Sequence, residues 1–219
     1  MQLIDDLQAE HELIDRLVGS LRAYVDHRVR GAGDPADGAR FLRFFRRFAG
    51  DFHHAKEEDT LFPALQAHAD LPASGPITML REDHARLSAV LSEMEPLIGS
   101  AVESPADRDR LQHLAFEYSH AMWHHIDAEN SVLFPESEGR LKKNGVAELP
   151  SRPMTDQERA AKAEGEQLLA RYAPMNDPAI IRGDGCVSCP RFGERCRGLE
   201  HEWWNESEWE EFQDHLGGD

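Results

Sequence analysis

The sequence predicts an all-α protein: an up-down-up-down four-helix bundle, then a C-terminal helix and an irregular cysteine-containing appendage. Three observations carry this. Apolar residues recur at steps of three and four through four long segments, the period of an α-helix. Strand-like alternation is nearly absent. Helix-start signals built on proline separate the segments, leaving short connections of the kind that join antiparallel neighbours.

The first segment runs from about Leu3 to the Tyr24–Val25 region, with Leu7, Ile14, Val18 and Leu21 on its apolar stripe. Asp34-Pro35 opens the second, an acceptor for the N-cap followed by a proline at the first helical position. That helix carries Phe41, Phe45, Phe48 and Phe52 and is expected to end near Pro63. Gly75-Pro76 opens the third, which holds Ile77, Leu80, Leu87 and Leu91. Ser104-Pro105 opens the fourth, with Leu111, Leu114, Tyr118, Met122 and Val132 inward and a stop expected near Pro135.

Past residue 140 the pattern breaks at Lys142, Lys143 and Gly145, and prolines follow at 150 and 153. The expected division is a bundle over 1–140 and an appendage over 141–219. Thr155-Asp156-Gln157-Glu158 reads as a capping box for a fifth helix over about 155–172. A cysteine segment and the acidic-aromatic stretch EHEWWNESEWEEF complete the chain.

Bulk properties narrow the function. With 219 residues and 40% hydrophobic composition the chain can bury a core, and a formal net charge of −17 argues against nucleic acid or an anionic membrane as partner. No apolar run approaches bilayer length, and MQLIDDLQAEHELID lacks the basic start and apolar centre of a secretory leader, so a cytoplasmic location is expected. The three cysteines, all between 186 and 196, cannot close a disulfide framework, which fits a reducing compartment.

The chemistry lies in a repeat. HHAKEEDTLFPAL at 53–65 is echoed by HHIDAENSVLFPES at 124–137, with His53, Glu57 and Leu-Phe-Pro recurring 72 positions later as His125, Glu129 and Leu-Phe-Pro. His53 and Glu57, like His125 and Glu129, stand four apart and so share one helix face. A single histidine on an apolar stripe is more often a hydrogen-bonded core residue than a ligand. Two inward carboxylates are harder to accommodate, because a buried charge is costly without a partner that cations would supply. His11 lies on the stripe of Leu7, Ile14 and Val18, and His84 on that of Ile77, Leu80, Leu87 and Leu91. Each sits about eight residues into its helix, roughly 12 Å from the start, and the two repeated pairs sit a similar distance from the ends of helices two and four. Odd starts and even ends share one end of an up-down bundle, so His11, His53, Glu57, His84, His125 and Glu129 are expected to meet in one layer.

Within the doublets the α-helical wheel places His54 about 100° further from the phenylalanine stripe than His53. His53 is therefore preferred. His54 and His124 are reserve ligands or groups just outside the site, with solvent exposure as the plain alternative. His120 is expected to be exposed. Tyr118 shares the face of His125, where core packing or a hydrogen-bonding role both fit.

QAEHELID, HHAKEEDTLFP, REDHARL and HHIDAENSVLFP together resemble the hemerythrin-like, HHE cation-binding family over roughly residues 1–140. The resemblance implies a non-haem di-iron centre held by His11, His53, Glu57, His84, His125 and Glu129, with Glu57 and Glu129 bridging. It implies a small ligand, namely dioxygen, peroxide or nitric oxide, and a role in oxidative or nitrosative stress or in iron handling. A non-catalytic iron or oxygen sensor signalling through the appendage to a protein partner is the alternative. Imidazole and carboxylate donors suit iron, although zinc and manganese also accept them. Oxygen-carrying members have a second histidine four residues after the third-helix histidine, where this chain has Ser88, and that departure argues against simple oxygen storage.

Cys186-Val-Ser-Cys189, then Cys196 and His201, has the short spacings of a metal knuckle. A zinc site, an iron–sulfur cluster, a redox-active pair and three reduced thiols all fit it. Trp203, Trp204 and Trp209 fall at near-helical spacing, as on a face that docks onto the bundle or a partner.

Overall fold

The structure, a computed structural model, describes residues 1–69, 76–99 and 104–177. The cysteine cluster, His201 and the three C-terminal tryptophans lie outside the described residues. Four rods form the bundle. The first is α1 (Gln2–Val29). The second joins α2 (Pro35–Arg43), π-helical stretches at Phe44–His54 and Glu57–Leu61, and α3 (Phe62–His68). The third is α4 (Pro76–Ile98). The fourth joins α5 (Pro105–Ala128), a π-helical turn at Glu129–Leu133, and α6 (Phe134–Lys143). A fifth helix, α7 (Asp156–Arg171), packs on the outside of rods one and two.

The start signals act as their chemistry requires. The Asp34 side chain accepts the N–H of Ala36, Ser104 accepts that of Asp107, and Thr155 and Glu158 form a reciprocal capping box. Gly31 and Gly33 turn the chain between rods one and two at φ of 79° and 85°, a region that favours glycine.

Two expectations need correcting. Neither Pro63 nor Pro135 ends its helix. A proline ring collides with the carbonyl four residues back and offers no N–H to it. Here the turn before each proline is widened instead, the N–H of Phe62 reaching the carbonyl of Glu57 and that of Phe134 reaching Glu129. Each Leu-Phe-Pro therefore produces a π turn that begins at a repeated glutamate, and the rod continues beyond it. The same turn changes the facing of the fourth rod: Val132, expected in the core, is half-buried, and Leu133 and Phe134 are fully buried in its place.

The core is split. A larger apolar cluster from Ile14 to Tyr172 fills the middle and far end of the bundle, and a smaller one built on Leu3, Leu7, Leu61, Leu80 and Leu133 fills the near end. A polar layer lies between them. Along rod one it falls between Leu7 and Ile14, along rod two between Phe52 and Leu61, and along rod three between Leu80 and Leu87.

Candidate metal centre

His11, His53, His54, Glu57, His84, His125 and Glu129 converge in that layer, all of them buried. Two groups have ligand atoms lying within 4.8 Å of one another: His11, His53, Glu57 and Glu129 in one, His54, Glu57, His84 and His125 in the other.

The outward faces of His11, His53 and His84 are held by acceptors on the preceding rod, and that of His125 faces one at longer range. Glu10 on rod one meets His53 Nδ1 on rod two at 2.9 Å, and Glu58 on rod two meets His84 Nδ1 on rod three at 2.6 Å. Asp83 on rod three faces His125 Nδ1 on rod four at 3.7 Å. Asn130 Oδ1 on rod four meets His11 Nδ1 on rod one at 2.9 Å, closing the circle. For His11, His53 and His84 the acceptor at Nδ1 requires the proton there, so the Nε2 lone pair points inward.

Those inward atoms have little to bond. The Nε2 atoms of His11, His53 and His54 and all four carboxylate oxygens of Glu57 and Glu129 are buried without a hydrogen-bond partner. His84 Nε2 and His125 Nε2 stand 3.1 Å apart, two lone pairs facing each other unless a proton or cation lies nearby. Glu57 turns one oxygen to each group, Oε1 at 3.3 Å from His53 Nε2 and Oε2 at 3.5 Å from His84 Nε2. Glu129 Oε2 lies 3.2 Å from His11 Nε2 and 3.3 Å from His125 Nε2. Unpaired buried donors and acceptors are rare in folded proteins, and a set of this composition fits a pair of cations shared by two carboxylates.

Electrostatics point the same way. Burial pushes the rings of His53, His54 and His84 well below the ordinary imidazole range, aided by neighbouring histidines, so they are neutral and ready to ligate. Burial and the adjacent Glu129 charge push Glu57 well above the usual carboxylate range. For His125 burial acts downward, but Glu129 and Asp83 outweigh it and the net direction is up. Divalent cations in the layer would reverse the cost of ionising Glu57.

All six residues expected in the layer are in it, and His54 joins them. The α-helical wheel ranks His54 below His53, as a reserve ligand, but Phe44–His54 is π-helical: more residues per turn mean a smaller angle between neighbours, so both reach inward. His54 stacks on His84 with centroids 3.9 Å apart. His124 is half-buried away from the layer, next to His120, which bonds Asp177 and is itself half-buried rather than exposed. Tyr118 is buried, its phenol pushed upward by burial, against Phe45. A cavity of about 350 Å³ opens beside the second group, lined by Phe45, His54, His84, Leu87, Ser88 and Tyr118 among others. Ser88, with no imidazole to offer, leaves that side of His84 open.

The outer acceptors were missed from sequence. Each is adjacent in sequence to a ligand candidate on its own rod (Glu10 to His11, Glu58 to Glu57, Asp83 to His84, Asn130 to Glu129) yet serves the next rod. A polar neighbour beside every candidate was the available signal.

Neither a curated protein nor a solved structure matched the chain in sequence or structure comparisons. The sequence profile of the hemerythrin HHE cation binding domain matches residues 2–137. That span covers all four rods up to α6 and every residue of the buried layer. The chain therefore belongs to the hemerythrin HHE cation-binding family.

Proposed function

We propose that this protein is a non-haem di-iron protein that binds or reacts with a small oxidant, whether dioxygen, peroxide or nitric oxide. The observation that carries the reading is the set of inward Nε2 atoms and carboxylate oxygens without partners in one buried layer. His11, His53, Glu57 and Glu129 would hold one iron and His54, His84, His125 and Glu57 the other. Two irons held there would supply electrons one at a time to a bound oxidant. The chain's own residues do the rest. The outer acceptors fix which nitrogen of each ring faces inward. The two apolar clusters exclude bulk water from both ends of the layer, and the cavity beside His54 and His84 has room for a ligand of a few atoms.

Metal analysis with an absorption spectrum, before and after exposure to air, tests this. About two irons per chain and an oxygen-dependent spectrum are expected. Protein without metal overturns the reading, and two irons that neither consume peroxide nor react with nitric oxide remove the enzyme.

A sensor reading is supported by a separate observation: α7 lies directly on the π-helical stretch that carries His53 and His54. Metal occupancy could then bias how the chain beyond Tyr172 engages a partner. If deleting residues after 172 changes neither partner binding nor iron-dependent stability, the sensor is wrong.

A further inference from the structure

Lys56 is the most deeply buried cation of the layer, 2% exposed. Its Nζ donates to Glu10 Oε1 at 2.6 Å and lies over the Phe52 ring, 4.5 Å from its centroid. The other oxygen of Glu10 accepts from His53. A lysine taken out of water has to be compensated, and its compensation here is the carboxylate that holds a candidate ligand.

Nothing comparable backs the second group. The acceptors behind His84 and His125 are Glu58, with 38% of its side chain exposed, and Asp83, 46% exposed and 3.7 Å away. The cavity of about 350 Å³ reaches His54 and His84, not His11 or His53. The first group also contains both carboxylates, whereas Glu129 approaches the second only at His125, through Oε2 at 3.3 Å.

We propose that the two cation positions fill in order: the His11, His53, Glu57, Glu129 position first and tightly, with Glu10 and Lys56 as its positioning residues, and the His54, Glu57, His84, His125 position second, as the exchangeable one. The proposal rests on the metal-binding reading above. Two carboxylates attract a divalent cation more strongly than one. A ring locked by a largely buried carboxylate that is itself paired with Lys56 loses less freedom on binding than rings held by more exposed acceptors. Once the first cation is seated it repels the second across the shared Glu57.

The test uses the full chain, stripped by chelator and titrated anaerobically with iron(II), and separately with cobalt(II), whose visible bands report coordination. Two steps are expected, with dissociation constants at least ~10-fold apart. Glu10→Gln should weaken the first step ~10–100-fold and leave the second nearly unchanged. His54→Ala should abolish the second step and spare the first. Where Glu10→Gln leaves Lys56 unpaired and the fold suffers, the double variant Glu10→Gln/Lys56→Met, which buries no lone charge, carries the same expectation. Two equivalents taken up in a single step, or equal weakening of both steps by the Glu10 variants, overturns the proposal and leaves the metal-binding reading intact. No uptake of either metal overturns both.

Discussion

The two copies of the repeat are nearly the same string and do different work. In the rod-two copy both histidines of the doublet turn inward, and in the rod-four copy only His125 does, His124 remaining half-buried outside the layer. The register of the repeat explains this: at the 72-residue offset that aligns Glu57 with Glu129, His53 matches His125, His54 matches Ile126, and His124 matches Phe52. Winding differs as well. The doublet at 53–54 ends a π-helical stretch, whereas His124 and His125 lie within the α-helix Pro105–Ala128. The second copy thus offers one histidine where the first offers two, because Ile126 stands in the place of His54. The carboxylates diverge too: Glu57 turns an oxygen to each group, while one oxygen of Glu129 is close to both His11 and His125.

The sharpest break of this comparison is Glu57→Ala. Among the described residues it removes the one carboxylate that belongs to both groups, and uptake of both metals should fall to background by elemental analysis. Retention of two irons would show that the carboxylate does not bridge. The doublets come next. His54→Ala should lose about one of two equivalents, whereas His124→Ala should keep both. Equal losses would mean that the position of the doublet within the repeat has no bearing on ligation.

A smaller effect tests the support of rod two. Gly165 of α7 approaches it so closely that an added Cβ would lie 2.5 Å from Phe44 Cδ2 and 2.8 Å from Leu17 Cδ1. Gly165→Ala should destabilise by ~1–3 kcal/mol in denaturant titration, the usual cost of overpacking, although alanine is the better helix former. A stabilised variant would contradict that contact. The smallest effect is Glu158→Gln, at about 1 kcal/mol, or a Tm lowered by ~2–4 °C near pH 7. Arg152 and the capping box pull Glu158 down to about 2 from its usual value near 4.5. A lowered folded-state pKa gives stability that is present above about 4.5 and is lost as pH falls toward about 2. The Tm difference between wild type and variant should therefore shrink across that window. A constant difference would show that the charge on Glu158 contributes nothing.

The legibility of this fold in its sequence was uneven for physical reasons. Caps at Asp34, Ser104 and Thr155 act through local hydrogen bonds, so they can be read from a few residues. The depth at which His11, His53, His84 and His125 meet follows from rise per residue and alternating direction alone. Prolines 63 and 135 misled because a helix has two responses to a missing N–H, termination or widening, and the rule for termination ignores the second. Val132 was misplaced by that widening, and His54 was ranked below His53 through a separate π-helical stretch at Phe44–His54, since a wheel drawn at constant pitch accumulates error wherever pitch changes. The outer acceptors depend on which rods are neighbours, which no local pattern encodes.

Gly165 also bears on where this domain stops. The family match ends at residue 137, yet the surface over Leu17 and Phe44 is sealed by a helix that begins nineteen positions later. A fragment cut at the family boundary would bare those side chains to water and leave the stretch bearing His53 and His54 without its backing. For this chain the smallest self-sufficient piece extends at least to Tyr172, whose ring is buried with the rest of the larger core.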